Sequence, residues 1–201
     1  MDAKGTRGYG AEADALVTQY ESLTSDEVLG DVLHLIPEKP GRVLDIGAGT
    51  GRDAAALAAR GHAVTAVEPT PELLAHGRRL HAGAGIAWLD DTLPDLAAVR
   101  GTFDLVTLVA VWMHLDQAER PRAMRRLAGL LAPEGLAVLI LRHGPTPPGR
   151  HMFDIPAEET VGQAAEAGLR AVHQSTWGDL HGRPGVHWTT LAFAPRPGPP
   201  A

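Results

Sequence analysis

Two acids and three glycines stand together in the stretch VLDIGAGTGRDAAALAARGHAVTAVEP, residues 43–69. Asp45 lies just before Gly47, Gly49 and Gly51 follow at every second position, and Glu68 closes the next apolar run. An apolar strand, a glycine turn and a helix let a ligand approach the backbone closely, because glycine carries no Cβ. The spacing G-x-G-x-G is not the dinucleotide fingerprint. That pattern places its third glycine one residue later, where Arg52 stands. A pyrophosphate needs an open helix N-terminus, and Arg52 and Asp53 take the first helical positions here. Asp45 adds a negative charge that repels phosphate and suits an ammonium or sulfonium group. An acid at the position of Glu68 can hold both hydroxyls of a ribose.

Further candidates lie downstream. His114 follows the apolar run FDLVTLVAVWM; its ordinary pKa near neutrality makes it a candidate general base. It is equally placed to cap a helix or position a lid. Trp112 ends the same run and is a candidate wall for an acceptor, or a core residue. His143 ends a later apolar run. Arg142, Arg150 and His151 surround the Pro-rich loop that follows, and three donors there suit an anionic acceptor or a solvated loop. There are ten histidines but no H-E-x-x-H and no tight helical pair, so no metal site is expected. His62, His76 and His81 read as solvated side chains on helix ends and exposed faces.

These residues need elements to position them. Two helices are expected first, AEADALVTQYES and LTSDEVLGDVL. The second carries a capping box of Thr24 and Glu27 and a staple of Leu23 and Val28. From Gly41 apolar runs alternate with helical segments: RVLDIG, HAVTAVE, GIAWLD, FDLVTLVAVW and LAVLILR read as strands. Thr70 and Pro71 open one intervening helix, and Pro121 falls in or near the first turn of another. LRAVHQSTW and HWTTLAFAP follow without a helix between them and are expected to pair antiparallel. The fold class is α/β: a Rossmann-like, seven-stranded sheet, mostly parallel with an antiparallel last strand, and helices on both faces. Residues 1–40 are read as lid helices of the same domain, 41–195 as its core, and 196–201 as a flexible tail.

On these motifs the chain resembles the class I S-adenosylmethionine-dependent methyltransferases, well over residues 41–141 and more loosely beyond. VLDIGAGTG resembles their first motif, VEP their ribose-binding acid, WLDDTLP the segment facing adenine, FDLVTLVAVWMHL the fourth strand, and LLAPEGLAVLI the approach to the fifth. Glu134 replaces a glycine usual in that last segment. The resemblance implies S-adenosylmethionine as cofactor. Gly47, Ala48, Gly49, Gly51 and Arg52 would lie along its methionine moiety, with Asp45 attracting the ammonium. Glu68 and Pro69 would meet the ribose. Asp90 or Asp91, with Thr92, would meet the adenine. Val109 and Ala110 would lie near the sulfonium, and Tyr20 would be a lid tyrosine. Trp112, His114, His143 and Arg150 are the acceptor candidates, with His114 the catalytic base for a hydroxyl. The implied reaction is methyl transfer to oxygen or nitrogen of a small molecule. The alternatives are a methyltransferase-fold protein that binds the cofactor without transferring methyl, and a nucleotide-binding dehydrogenase.

Composition narrows the field. The chain has 201 residues, 44% hydrophobic and 4% aromatic, enough for one core. A formal charge of −6 argues against a phosphate backbone as partner. There is no cysteine, hence no disulfide framework, no thiolate metal site and no cysteine nucleophile of the kind cytosine C5 methylation needs. AVWM stands where adenine and glutamine N-methyltransferases carry Asn/Asp-Pro-Pro-aromatic. No signal peptide or membrane span is expected, so the expected setting is cytoplasmic, as a monomer or homodimer with a small-molecule acceptor and no nucleic acid or membrane partner.

Overall fold

The structure is a computed structural model describing residues 4–197. Residues 198–201 of the expected tail lie outside the described residues.

Seven strands form one sheet: β1 Arg42–Ile46, β2 Ala63–Val67, β3 Ala87–Leu89, β4 Phe103–Val109, β5 Leu131–His143, β6 Leu169–Gly178 and β7 His187–Pro195. Their spatial order is β3-β2-β1-β4-β5-β7-β6. Strands β1 to β5 pair in parallel, while β7 runs antiparallel to both β5 and β6. Chain order reverses at β1, between β2 and β4. Such a reversal opens a crevice at the carboxyl ends of the strands, where ligands of open α/β sheets bind.

Six α-helices flank the sheet: α1 Ala13–Glu21, α2 Ser25–Leu29, α3 Arg52–Ala59, α4 Pro71–Leu80, α5 Glu119–Leu130 and α6 Ala157–Glu166. Period-2 alternation divides the central strands between two cores. Leu44 and Ile46 of β1, with Val106 and Leu108 of β4, face Met124 and Leu127 of α5. Val43 and Leu105 face the other way, with Val28 and Leu29 of α2 and Leu57 of α3. Asp45 lies on the same face as Val43 and pairs in register with Thr107 of β4.

Both N-terminal helices form, the second as α-helix only over Ser25–Leu29 and as a 3-10 helix from Gly30 to Leu35. Thr24 accepts from the Glu27 N–H, and the Glu27 carboxylate accepts from the Thr24 N–H at 2.7 Å. Leu23 packs in the same cluster as Val28. Ala13 and Leu16 of α1 lie against Leu73 of α4, which brings Tyr9 and Tyr20 over the carboxyl ends of β1 and β2. Pro121 sits in the first turn of α5. Strand β5 begins five residues earlier than the apolar run at Leu136. Leu131 already pairs with Phe103, and the register shifts before Leu105, where exposed Pro133 and Glu134 interrupt the pairing. No helix among the described residues is long and apolar enough to cross a membrane.

Candidate functional site

A cavity of about 550 Å³ opens at the carboxyl ends of β1, β2 and β4. A cavity that size suits a ligand the size of a nucleoside cofactor. Its two ends differ in charge.

The acidic end is built by the glycine turn. Gly47, Gly49 and Gly51 have φ of +67°, +58° and +86°. A Cβ on Gly47 would collide with Val111 Cγ2, and one on Gly51 would lie 2.5 Å from the Trp88 ring. One on Gly49 would meet only the Tyr20 ring, at 3.4 Å. The glycines at 47 and 51 therefore let protein pack against the turn, and the turn's backbone edge faces the cavity. The N–H groups of Gly47 and Ala48 both donate to the Val67 carbonyl, at 2.8 and 3.0 Å.

Glu68 locks the turn. One carboxylate oxygen accepts from the Gly49 N–H and the other from the Thr70 N–H, both at 2.8 Å. Burial pushes its pKa up, and these two donors work against that rise. Each oxygen keeps a lone pair for a further donor. Asp45 is 3% exposed and accepts from the Thr107 hydroxyl at 2.8 Å. Burial first, and Asp53 second, push its pKa well above the usual carboxylate range. Arg52 forks onto Asp53 at 2.9 and 2.7 Å and reaches the Tyr20 carbonyl at 3.1 Å. It braces the start of α3 against the helix above.

Asp90 and Asp91 separate. Asp91 lines the cavity, but its carboxylate accepts from the N–H groups of Thr92, Ala97 and Ala98. It ties down the loop that carries Thr92 and Leu93 to the cavity wall. Asp90 is exposed and does not line the cavity. Pro69, Val109 and Ala110 line it as expected. Ala110 has φ of +58°, a left-handed conformation that a non-glycine residue adopts at some cost, and its N–H is held by the Ile140 carbonyl.

The other end is basic and built from distant parts of the chain. His114 Nδ1 lies 2.8 Å from the His151 carbonyl, and Nε2 lies 2.9 Å from the Tyr9 hydroxyl. A carbonyl only accepts, so Nδ1 carries the hydrogen and Nε2 accepts from Tyr9. Burial lowers the His114 pKa, so the neutral imidazole prevails at pH 7. The Tyr9 hydroxyl is pushed up to about 12, chiefly by burial. The Arg150 guanidinium sits 3.9 Å from the Tyr9 ring centroid and bonds Glu12 at 2.7 Å. Arg142 and Arg183 also line this end. Arg183 forks onto Asp179 at 2.9 and 2.6 Å, and Asp179 accepts from Trp188 Nε1 at 2.9 Å.

Three expectations are corrected. Trp112 is fully buried and absent from the cavity wall, because its ring packs in the core with Met113 and Leu115. His143 also lies off the cavity. Its ring is held between Asp154 and Thr189, at 3.1 and 3.0 Å, and stacks on His187. His62 is buried rather than solvated, accepting from the Gly41 N–H at 3.2 Å. His76 and His81 are each only 19% exposed, with Asp14 and Glu21 as nearest acids. His151 is exposed and contributes its carbonyl, not its ring.

Tyr9, Arg183 and the stacked pair Trp177–Trp188 are cavity residues that sequence reasoning missed. The tryptophans were accessible to it: once β6 and β7 pair as a hairpin they fall directly opposite each other. Tyr9 lies in a glycine-rich segment with no pattern to single it out.

Comparison with known proteins agrees with this geometry. Residues 43–135, just under half of the chain, match the family model described as a methyltransferase domain. Glycine N-methyltransferase of Oryctolagus cuniculus is 30% identical over 139 residues, covering 56% of this chain and 46% of that protein. A ubiquinone biosynthesis O-methyltransferase of Xanthomonas euvesicatoria is 37% identical over 98 residues, covering 47% and 40%. The chain thus spans less than half the length of these curated relatives. A TehB-like SAM-dependent methyltransferase of Corynebacterium glutamicum superposes with a TM-score of 0.69 at 18% identity, over 92% of this chain and 99% of that one. Residues 43–135 thus match a methyltransferase domain, and the fold of the chain is that seen in S-adenosylmethionine-dependent methyltransferases.

Proposed function

We propose that this chain binds S-adenosylmethionine at the acidic end of the cavity and transfers its methyl group to a small-molecule acceptor held at the basic end. The observation that carries this reading is one continuous cavity. It joins two buried carboxylates and a left-handed glycine turn to a neutral imidazole some 65 residues downstream of Gly49 in sequence.

The residues present fit the cofactor. Asp45 is a buried acid with its ionised form disfavoured, and a cationic ammonium beside it restores that form. Glu68 retains lone pairs for ribose hydroxyls. Asp91, Thr92 and Leu93 supply the wall for an adenine, with Asp91 acting through the loop it fastens. When bound, the cofactor supplies a sulfonium-activated methyl that leaves a neutral thioether behind. The chain's own task is then to align an acceptor and exclude water. Tyr9, Tyr20 and Leu16 of the N-terminal segment roof the cavity and serve the second purpose.

His114 is the candidate base. Its lone pair on Nε2 points to the Tyr9 hydroxyl in the free protein. An acceptor hydroxyl or protonated amine would replace Tyr9 there and give its proton to Nε2. The proposed reaction is compatible with oxygen or nitrogen as acceptor atom, and the named relatives include one of each kind.

Calorimetric titration with S-adenosylmethionine, beside NAD as control, tests the first half. Saturable binding of the former alone is expected. Release of S-adenosylhomocysteine on a panel of hydroxyl and amine acceptors tests the second. Tight cofactor binding with no release on any acceptor would favour a binding protein over an enzyme.

A further inference from the structure

We infer that the acceptor carries an oxyanion, a carboxylate or phosphate, and that Arg142 and Arg150 receive it. This deepens the proposed function and rests on it. Arg142 is 8% exposed and lines the cavity, yet no carboxylate lies within ion-pair distance of it among the described residues. Among the described residues its guanidinium makes one hydrogen bond, from Nη2 to the Pro145 carbonyl at 2.9 Å, and its Nε is buried with no partner. The neighbouring cations are neutralised: Arg52 by Asp53, Arg150 by Glu12, Arg183 by Asp179. Even so, Arg150 keeps its Nη1 buried and unpartnered, on a side chain only 4% exposed.

A buried guanidinium without a counter-ion, and a second with a spare N–H, are costly in an empty cavity. An oxyanion repays that cost, since guanidinium N–H groups match the oxygen spacing of carboxylate and phosphate alike. Burial and the nearby Arg183 weaken the hold of Arg142 on its proton, and Asp179, which is not in ion-pair contact with it, only partly offsets them.

The position is on the acceptor side. Ile140 pairs with Val109 at the end of β4, and Arg142 lies two residues, roughly 6–7 Å, farther along β5. Both guanidiniums act electrostatically on the Tyr9 hydroxyl that meets His114. Glu68 acts on the same hydroxyl from the cofactor side.

The test uses full-length protein saturated with S-adenosylhomocysteine, and benzoate and benzamide as probes of equal shape and different charge. Ligand-observed NMR titrations should give at least tenfold tighter binding of benzoate. Arg142→Met should abolish that preference while S-adenosylhomocysteine still binds, which also reports that the variant is folded. Equal affinities of the two probes for the wild type would overturn the inference without any variant. So would an Arg142→Met protein that keeps the preference. Loss of S-adenosylhomocysteine binding in folded Arg142→Met would overturn it too, by assigning the arginine to the cofactor's own carboxylate. Wild-type protein that binds benzoate but no S-adenosylhomocysteine would instead defeat the proposed function on which the inference rests.

Discussion

The acidic and basic ends of the cavity are built in opposite ways. At the acidic end the contacts run mostly through the backbone and within residues 47–98, with the Asp45–Thr107 side-chain bond reaching farther. Glu68 ties Gly49 and Thr70, Asp91 ties Thr92 to Ala98, and the turn itself hangs from the Val67 carbonyl. At the basic end side chains meet across the whole chain: Tyr9 with His114 and Glu12 with Arg150. A backbone-held end is rigid and indifferent to most side-chain changes. An end held by long side chains can change its ligand by a few substitutions. The contrast teaches that this fold keeps the donor constant and leaves the acceptor to loops and termini.

The comparison breaks most sharply at Gly47. Gly47→Val forces a β-branched residue to φ of +67° against Val111. The backbone strain alone is about 1–2 kcal/mol, and the displaced turn should lose S-adenosylhomocysteine binding by more than about a hundredfold. Circular dichroism melting and calorimetry on the same sample check this. A folded variant with near-normal affinity would show that the turn tolerates a side chain.

Glu68→Ala should have the next largest effect. It leaves the Gly49 and Thr70 N–H groups unpaired and removes the proposed ribose acceptor. A loss of about 1.5–3 kcal/mol in cofactor affinity is expected from one charge-assisted hydrogen bond. Unchanged affinity by calorimetry would remove Glu68 from the ligand and leave it a turn-forming residue.

At the basic end, Tyr9→Phe removes the donor to Nε2 that favours neutral His114. The imidazole pKa, lowered by burial in the wild type, should then rise. The sign follows from the neutral form being the working base. Activity falls as pH drops through the His114 pKa, and in Tyr9→Phe that fall should begin at a higher pH. Proton NMR of the His114 ring reads the shift without an acceptor. An unmoved or lower pKa contradicts the assignment of Nε2 as the acceptor of the Tyr9 hydrogen.

The smallest effect is a control. Thr24→Ala opens the capping box of α2; Thr24 does not line the cavity, although Leu23 and Val28 beside it do. Stability should fall by about 1 kcal/mol, seen as a lower melting temperature, with S-adenosylhomocysteine affinity unchanged.

The same contrast explains what the sequence made legible. Strands and helices were readable because each buries one face at a fixed period. The acidic end was readable because its parts lie between Asp45 and Asp91 with local spacing. Even there the exposed acid, Asp90, could be told from the engaged one only by seeing which carboxylate met the backbone. Trp112 and His143 sit at strand ends, as acceptor residues would, yet one turned into the core and the other onto His187. A side chain's direction at a strand end depends on packing from remote segments. Tyr9 gains its meaning from His114, so no local pattern could have revealed it, and Arg183, though paired locally with Asp179, reaches the cavity only through the fold.

The central claim, that a buried acid at the end of β1 receives a cationic ligand group, is tested most directly at Asp45. Its raised pKa in the free protein means that a cation must draw off a proton to pair with it. Calorimetric titration of S-adenosylhomocysteine, from about pH 5 to about pH 8 in buffers of different ionisation enthalpy, measures affinity and proton release together. The wild type should bind more tightly as pH rises and release protons on binding. Asp45→Asn should bind roughly tenfold or more weakly, with its affinity flat across that range and no proton released. Equal affinity in both proteins, or wild-type affinity that falls as pH rises, would contradict the account.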